Sequence, residues 1–344
     1  MILPHIKTRF TSLCLIFLAA LLLIACNSSG PATDGSGLVD PGSRASSTKP
    51  SSSHATVRDT PQPCAHEGTG AATDPDCETT GVRALWVWGS AVVLDTNRAQ
   101  QLFELAEQHA LNRIYLAATQ ALEHDQTALA NFFRRAQQLG IHIELLFGQP
   151  DWALPENHHY VLSVIDHAGA FAERFPDITV SAIHLDVEPY LLPEWDADRN
   201  SLGNAYIDLL ESARARSGNL SMPLMADIPV WYDEHRIIRN GQPRLLHELV
   251  IDATDGVSLM DYRDSSQRII NDASDELAYA SLAEKPMVVG VETLCIAPAW
   301  ITFCEEGRAA MNQILTIIDK DLKRYTAYRG YAIHHLDSFL ELAP

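Results

Sequence analysis

Residues 180–189 read Val-Ser-Ala-Ile-His-Leu-Asp-Val-Glu-Pro, an apolar run in which polar side chains occupy every second position. Successive side chains of a β-strand point to opposite faces, so the run splits into two sets. The apolar set is Ile183, Leu185 and Val187, and the polar set is His184, Asp186 and Glu188. Burying two acids and a histidine is costly unless they have partners or a purpose. The polar set is therefore a candidate functional group.

Seven further apolar runs with strand character lie along the chain, and amphipathic helical patterns separate them. The eight predicted strands are 83–88, 113–117, 141–147, 180–187, 223–228, 256–260, 287–291 and 330–334. The clearest helices are 99–109, 127–139, 161–175, 205–216 and 308–324. Such alternation indicates parallel βαβ units, and eight of them over residues 81–344 predict an α/β fold, the (β/α)8 TIM barrel. An open doubly wound sheet is the alternative, but no glycine-rich phosphate loop follows the first strand.

Inward polar residues also end other predicted strands, at the face where barrel enzymes carry their active sites. Alternation places Tyr262 inward after the sixth strand, Glu292 on the seventh and His334 on the eighth. The predicted catalytic residues are Glu188, Asp186 and Glu292, and the predicted substrate-binding residues are Tyr262, Asp227, His184, His334, Trp88, Trp231 and Arg263. Glu144 on the third strand is expected to support the site, and Trp86 to be core.

Two short motifs carry a resemblance to glycoside hydrolase family 18. Residues 181–188, Ser-Ala-Ile-His-Leu-Asp-Val-Glu, resemble its fourth-strand signature Asp-x-x-Asp-x-Asp-x-Glu, and residues 260–262, Met-Asp-Tyr, resemble its Met-x-Tyr. The resemblance implies that Glu188 protonates the glycosidic oxygen, Asp186 orients an N-acetyl group that acts as nucleophile, and Tyr262 hydrogen-bonds that group. The chain departs from the pattern: Ser181 and His184 replace two aspartates, and Arg263 follows the tyrosine in place of Asp.

The chain also resembles the retaining glycosidases of clan A, in which an acid/base Glu ends the fourth strand and a nucleophilic Glu ends the seventh. Glu188, followed by Pro189, and Glu292 stand at those positions, although Val187 replaces the clan's Asn. This resemblance implies a double displacement with carboxyls about 5–5.5 Å apart. Residues 260–264, 290–293 and 333–335 further resemble an uncharacterised group of exported glycosidase-like barrels.

The residues leave two other classes of function open. His184, Asp186, Glu188, Asp227, Glu292 and His334 could ligate a divalent ion in a metal-dependent phosphodiesterase or amidase, although no tight His-x-His spacing occurs. The second class is a barrel that binds glycan without cleaving it. The main prediction is a hydrolase of an envelope or environmental polysaccharide that needs no cofactor and no metal.

The first 26 residues have the features of a bacterial lipoprotein export signal. Lys7 and Arg9 precede an apolar stretch at 13–23, too short for a confident membrane span, and Leu23-Ile-Ala-Cys26 resembles a lipobox. We expect cleavage of the signal peptide 1–25, acylation of Cys26, and a flexible Ser/Thr/Pro/Gly-rich linker over 26–80. The expected location is the cell envelope, with Asn27 favouring the outer membrane or cell surface.

Composition limits the partners. The formal charge is −19, and −21 once the two positive residues of the signal are removed, which argues against nucleic acid and anionic headgroups as ligands. Four cysteines remain beside Cys14 and Cys26. The simplest of three pairings joins Cys64 to Cys77 and Cys295 to Cys304; a zinc site fits the spacings less well. The second bridge would stiffen a loop containing Trp300 and Phe303, which we expect to wall a substrate cleft.

Overall fold

A computed structural model describes residues 81–344. The strands are β1 Val82–Val87, β2 Arg113–Leu116, β3 His142–Phe147, β4 Ala182–Leu185, β5 Leu224–Pro229, β6 Arg236–Arg239, β7 Gln242–Leu245, β8 Gly256–Met260, β9 Met287–Glu292 and β10 Tyr328–His334. The α-helices are α1 Ala91–Leu94, α2 Thr96–Gln108, α3 Thr119–His124, α4 Gln126–Gln138, α5 His158–Arg174, α6 Glu194–Gly218, α7 Leu246–Ala253, α8 Ser266–Asp272, α9 Ser274–Leu282, α10 Gly307–Leu322 and α11 Leu336–Glu341. Short 3-10 turns lie in several of the connections.

Eight of these strands close into a parallel barrel in the order β1-β2-β3-β4-β5-β8-β9-β10, with β10 returning to β1. Each strand pairs with its neighbour along the chain once the β6–β7 hairpin is set aside. The predicted (β/α)8 fold is therefore confirmed. All eight strands end at the same face of the barrel, which brings their terminal side chains together.

The two faces of the strands divide as the alternation predicted. Ile183, Leu185 and Val187 belong to the large apolar core between the barrel and its helices. A second, smaller core fills the barrel interior and consists of Val82, Ala84, Trp86, Tyr115, Leu146, Val288 and Ala332. Polar side chains share the barrel interior with this inner core: Glu144 lies in register with Tyr115, and His184 with Leu146. Asp186 and Glu188 follow further toward the carboxyl ends of the strands.

The predicted strand bounds differ from the observed ones by two residues or fewer at each end. The fourth strand is shorter than the predicted 180–187, although backbone hydrogen bonds from Ser181 to Ile143 and from Asp186 to Phe147 continue its pairing on both sides. The antiparallel β6–β7 hairpin is not among the predicted strands, because half of its strand residues are polar or charged and they form no apolar run.

Several predictions concern residues outside the described range: the signal peptide 1–25, the acylated Cys26, the linker 26–80 and the Cys64–Cys77 bridge. These stay predictions. Within residues 81–344, no helix is long and apolar enough to cross a membrane. The Cys295–Cys304 disulfide is present and closes the loop that follows β9.

Candidate functional site

Glu188 lies at the carboxyl end of β4 and is 4% exposed. Burial raises the pKa of its carboxyl to about 7, and the charge of Asp227 acts in the same direction. Tyr190, two residues further on, donates its hydroxyl to Glu188 Oε1 and opposes that rise. Near neutral pH, much of the population therefore carries a proton on Glu188 that it can give to a bound molecule.

Asp186 precedes Glu188 by two residues, so its side chain points to the same face and into the same mouth. Its Oδ1 is buried and has no hydrogen-bond partner in the described part of the chain. Burial raises the pKa of Asp186 well above its ordinary value, and repulsion from Glu188 adds to the effect. A carboxyl with an unused oxygen in a dry site can hydrogen-bond a ligand at little reorganisation cost.

His184 is fully buried and forms the centre of an ionic network beneath the mouth. Its Nδ1 lies 2.7 Å from Glu144 Oε2 and its Nε2 lies 2.9 Å from Asp227 Oδ1, while Arg113 donates to Glu144 at 2.7 Å. Burial alone would lower the pKa of His184, but the two carboxylates outweigh it and raise it to about 10. The charged residues of this network thus compensate one another, two acids against two cations.

Asp227 belongs to this network more than to the mouth. Trp86 Nε1 donates to its Oδ2 at 3.1 Å while His184 occupies Oδ1, and the residue is 1% exposed. The Tyr115 ring lies 4.3 Å from the imidazole of His184, and the Tyr115 hydroxyl accepts a hydrogen bond from the Ser258 hydroxyl. His184 and Asp227, both predicted to bind substrate, are buried and hydrogen-bonded to other side chains of this network.

Glu292 ends β9 and has both oxygens engaged. Its Oε1 accepts the backbone N–H groups of Thr293 and Leu294 at 2.7 Å each, and its Oε2 accepts His334 Nδ1 at 2.8 Å. Trp88 Nε1 donates to His334 Nε2 at 2.9 Å, so the proton of a neutral His334 lies on Nδ1, toward Glu292. Trp88 and His334 are thereby fixed on the wall of the mouth.

Tyr262 follows β8 and faces His334, with ring centroids 5.7 Å apart. Burial raises the pKa of its hydroxyl, and four carboxylates contribute to the rise: Glu292, Asp227, Asp186 and Glu188. Its hydroxyl makes no hydrogen bond to another side chain or backbone group between residues 81 and 344. A neutral phenol surrounded by the acids of the mouth is a hydrogen-bond donor available to a ligand.

The remaining predicted binding residues lie at the rim. Trp231 is half-buried in an aromatic cluster with Tyr190 and Trp195, whose ring centroids lie 4.8 Å and 6.0 Å away. Arg263 is ion-paired to Asp272 and donates to the Tyr262 carbonyl, each at 2.8 Å. In the loop predicted to wall the cleft, Trp300 is exposed and Phe303 is fully buried; the role of the loop stays a prediction.

Three residues of the site were not singled out in the sequence. Tyr190 could have been noticed, because it follows the Glu188-Pro189 pair at a distance that lets it reach back. Arg113 and Tyr115 occupy inward positions of the second predicted strand, and the same alternation rule would have found them. No group of three or more His, Cys, Asp or Glu side chains within residues 81–344 is arranged to hold a metal ion.

No family model matches the sequence, and no curated protein matches it. Solved structures do match. The structure superposes on a GH18 chitinase from Pseudoalteromonas aurantia with a TM-score of 0.50 and 11% identity, over 75% of this chain and 94% of that one. A chitinase from Bacteroides thetaiotaomicron gives 0.48 and 12%, over 76% and 91%, and one from Chromobacterium violaceum gives 0.47 and 12%, over 76% and 97%. At these identities the likeness, taken from the first of the three, shows a shared barrel fold.

Proposed function

We propose that this protein is a glycoside hydrolase that cleaves a polysaccharide of the cell envelope or the environment, with Glu188 as the proton donor. One observation carries the proposal: a carboxyl at the end of β4 is buried, hydrogen-bonded by Tyr190, and has its pKa raised to about 7. A general acid needs a pKa near the working pH, so that it is protonated before the reaction and can release its proton during it.

Of the two mechanisms that the sequence leaves open, the contacts favour the substrate-assisted one. Glu292 has three hydrogen-bond donors on its two oxygens, which stabilise the carboxylate and weaken it as a nucleophile. Asp186 and Tyr262, in contrast, each keep a polar atom that no group within the described residues occupies. These two are the residues that would hold an N-acetyl group.

In the proposed reaction, Glu188 gives its proton to the glycosidic oxygen as the bond to the anomeric carbon breaks. The carbonyl oxygen of the substrate's own N-acetyl group forms the new bond to that carbon, so the protein supplies no covalent nucleophile. Asp186 accepts the amide N–H and Tyr262 donates to the amide oxygen. Water then attacks the anomeric carbon, the bond from that carbon to the acetyl oxygen breaks, and the ionised Glu188 takes a proton from the water, which restores both the N-acetyl group and the acid.

The carboxamide variant Glu188→Gln tests the acid. It keeps the size of the side chain and its acceptor for Tyr190 but cannot donate the proton, so we expect turnover to fall at least about 100-fold with little change in melting temperature. Glu276→Gln is the matched control, because Glu276 is also a buried acid with a raised pKa, about 9, but lies on outer helix α9. Near-wild-type hydrolysis by Glu188→Gln would overturn the assignment.

A second variant separates the mechanisms. Glu292→Gly removes the alternative nucleophile; rescue by azide with formation of a glycosyl azide would show that Glu292 forms the covalent bond. If Glu292→Gln instead remains active and requires an N-acetyl sugar, the substrate-assisted route stands. A Glu292 variant retains a proton donor, so the two outcomes can be read independently of Glu188.

The proposal includes the location of the enzyme. The lipobox-like ending at Cys26 and the polar linker 26–80 support a lipid-anchored protein of the cell envelope, favoured at the outer membrane or cell surface. An extended linker of this length would let the barrel reach a polymer at some distance from its anchor.

A further inference from the structure

The loop after β9 places an exposed tryptophan beside the mouth. Trp300 is 41% exposed, whereas its neighbour Ile301 packs with Met260 and Tyr262. The Trp300 carbonyl also accepts the Asp264 N–H at 3.2 Å, which ties this loop to the one that follows β8. The indole ring is thus held at the rim, next to the tyrosine that the proposed reaction uses.

Two arginines flank this ring. The guanidinium carbons of Arg263 and Arg268 lie 5.1 Å and 4.8 Å from the ring centroid of Trp300. Arg263 is fixed by Asp272 and by the Tyr262 carbonyl. Arg268 is exposed and makes no ion pair with any acid of residues 81–344. Contact with an aromatic ring orients a guanidinium and leaves its N–H edge available.

The acids inside the mouth do not neutralise the guanidinium groups at its rim. Below it, Glu144 and Asp227 are compensated by Arg113 and His184. Burial raises the pKa values of Asp186 and Glu188, that of Glu188 to about 7, which shifts both carboxyls toward their uncharged forms. Asp272 pairs with Arg263, so Arg268 is the guanidinium at this rim that no acid of residues 81–344 pairs with. In a chain of net charge −19, a positive charge left available at the rim is a local exception.

We propose that Arg263 and Arg268, held by Trp300, form a subsite for a sugar unit that bears a carboxylate. The geometry suits this class of ligand because a guanidinium binds a carboxylate through two parallel N–H donors. This inference rests on the proposed glycan-cleaving function and specifies its substrate as an acidic polysaccharide. The subsite lies one residue beyond Tyr262 in the chain, so the acidic unit occupies the rim while its neighbour occupies the mouth.

Binding measurements on the full chain carrying Glu188→Gln, which suppresses cleavage, test the subsite. Calorimetry at low salt compares three acidic oligosaccharides in which a uronic acid alternates with an N-acetylhexosamine, from hyaluronan, chondroitin and heparosan, each with its carboxyl-reduced counterpart. We expect at least one acidic oligomer to bind about tenfold more tightly than its reduced form, and added salt to shrink the difference. Arg268→Gln should remove most of that preference.

Arg324→Gln is the matched control, since Arg324 lies 5.0 Å from the Tyr325 ring in a similar contact, just before β10 at the opposite end of the barrel. It should leave the preference intact. The proposal is overturned if none of the three acidic oligomers binds better than its reduced form, or if both arginine variants lose the preference equally. Cleavage by the wild type is measured separately, on neutral chitin oligomers and on the acidic oligomers. Cleavage of the chitin oligomers without any preference for acidic oligomers in binding refutes the subsite alone. A binding preference for acidic oligomers without cleavage of either kind of oligomer refutes the proposed function alone.

Discussion

The protonation of Glu188 is set by two opposing contacts at the level of single residues. Burial raises its pKa to about 7, and the hydrogen bond from Tyr190 holds it below the value that burial alone would give. The rate of a reaction that needs protonated Glu188 falls as pH rises through that pKa. The pH at which the rate falls on the basic side of the profile therefore depends on the hydrogen bond from Tyr190 to Glu188.

Tyr190→Phe removes the hydroxyl donor and keeps the ring. Since the hydrogen bond stabilises the ionised form, its loss raises the pKa of Glu188 and moves the basic limb to higher pH. A net hydrogen bond of about 1 kcal/mol limits the change in kcat at acidic pH to less than about tenfold. The pH dependence of kcat/KM measures this.

Tyr232→Phe serves as the control, because the buried Tyr232 hydroxyl has no partner within the described residues and its ring lies only 6.2 Å from that of Tyr190. Its profile should match the wild type. A basic limb that moves to lower pH in Tyr190→Phe would show that the hydroxyl does not act on Glu188 in this way.

His184 ties the stability of the barrel to pH. Its folded pKa is raised from 6.5 to about 10, so the stabilisation it provides is fully present below about pH 6.5 and is lost as pH rises through about 10. His184→Asn leaves Glu144 and Asp227 without their shared cation. We expect a loss of about 3–5 kcal/mol in unfolding free energy at pH 6 and a weaker decline between pH 7 and 10.

Urea unfolding at several pH values measures both effects. His124→Asn is the control, since the His124 side chain is 73% exposed and its nearest acid oxygen, on Glu123, is 3.7 Å away. An unchanged unfolding free energy in His184→Asn would mean that the buried network is not charged as described.

The faces of the β4 side chains could be predicted, whereas their depth could not. A period of two assigns His184, Asp186 and Glu188 to the barrel interior. The alternation does not show that Asp186 and Glu188 face the mouth while His184 lies below them. That difference depends on Arg113 and Glu144, which lie on two other strands and form the network around His184. The roles of an interior acid are set by partners distant in sequence.

At the level of elements, a glycine fixes the spacing between the ends of β3 and β4. A Cβ added at Gly148 would lie 1.8 Å from the Asp186 carbonyl oxygen, which is backbone and cannot rotate aside. The missing side chain therefore lets the strand end that carries Asp186 and Glu188 approach its neighbour closely. The sequence contains the glycine but not the contact that requires it.

Gly148→Ala is expected to push the Asp186 backbone outward. Because a shift of about 1 Å in a catalytic group costs about 100-fold in rate, activity should fall by at least that factor, with some loss of stability. Gly218→Ala is the control, since nothing lies within 4 Å of its added Cβ at the end of α6, and it should be neutral or slightly stabilising. Equal activities of the two variants would contradict the role given to Gly148.

The barrel strands could be predicted from burial, whereas the segments that connect them could not. Barrel strands are buried on both faces, so their apolar runs stand out, and β8 was predicted with its observed ends. The β6–β7 hairpin is stabilised by contacts with α6, such as the Asn200 side chain accepting the Ile238 N–H at 2.6 Å. Tertiary contacts of this kind leave little local pattern to detect.

At the scale of the whole molecule, the large negative net charge does not describe the interior of the site. The net charge is −19, yet the buried acids Glu144 and Asp227 are paired with cations, and burial raises the pKa values of Asp186 and Glu188 and so shifts both toward their uncharged forms. The surface charge keeps anionic headgroups at a distance. For a protein proposed to act at a membrane, attachment must then come from the lipid and not from the barrel.

The acylation predicted at Cys26 can be tested by its loss. Two or more acyl chains give stable anchoring, and a barrel this acidic adds no attraction of its own to an anionic leaflet. Cys26→Ser should therefore move the protein from the membrane fraction to the soluble fraction, with unchanged kcat on soluble oligosaccharides, because residues 81–344 form the barrel without it. Cys14→Ser, inside the predicted signal, should stay in the membrane fraction. Retention of Cys26→Ser on membranes washed with high salt would show that another part of the chain holds it there.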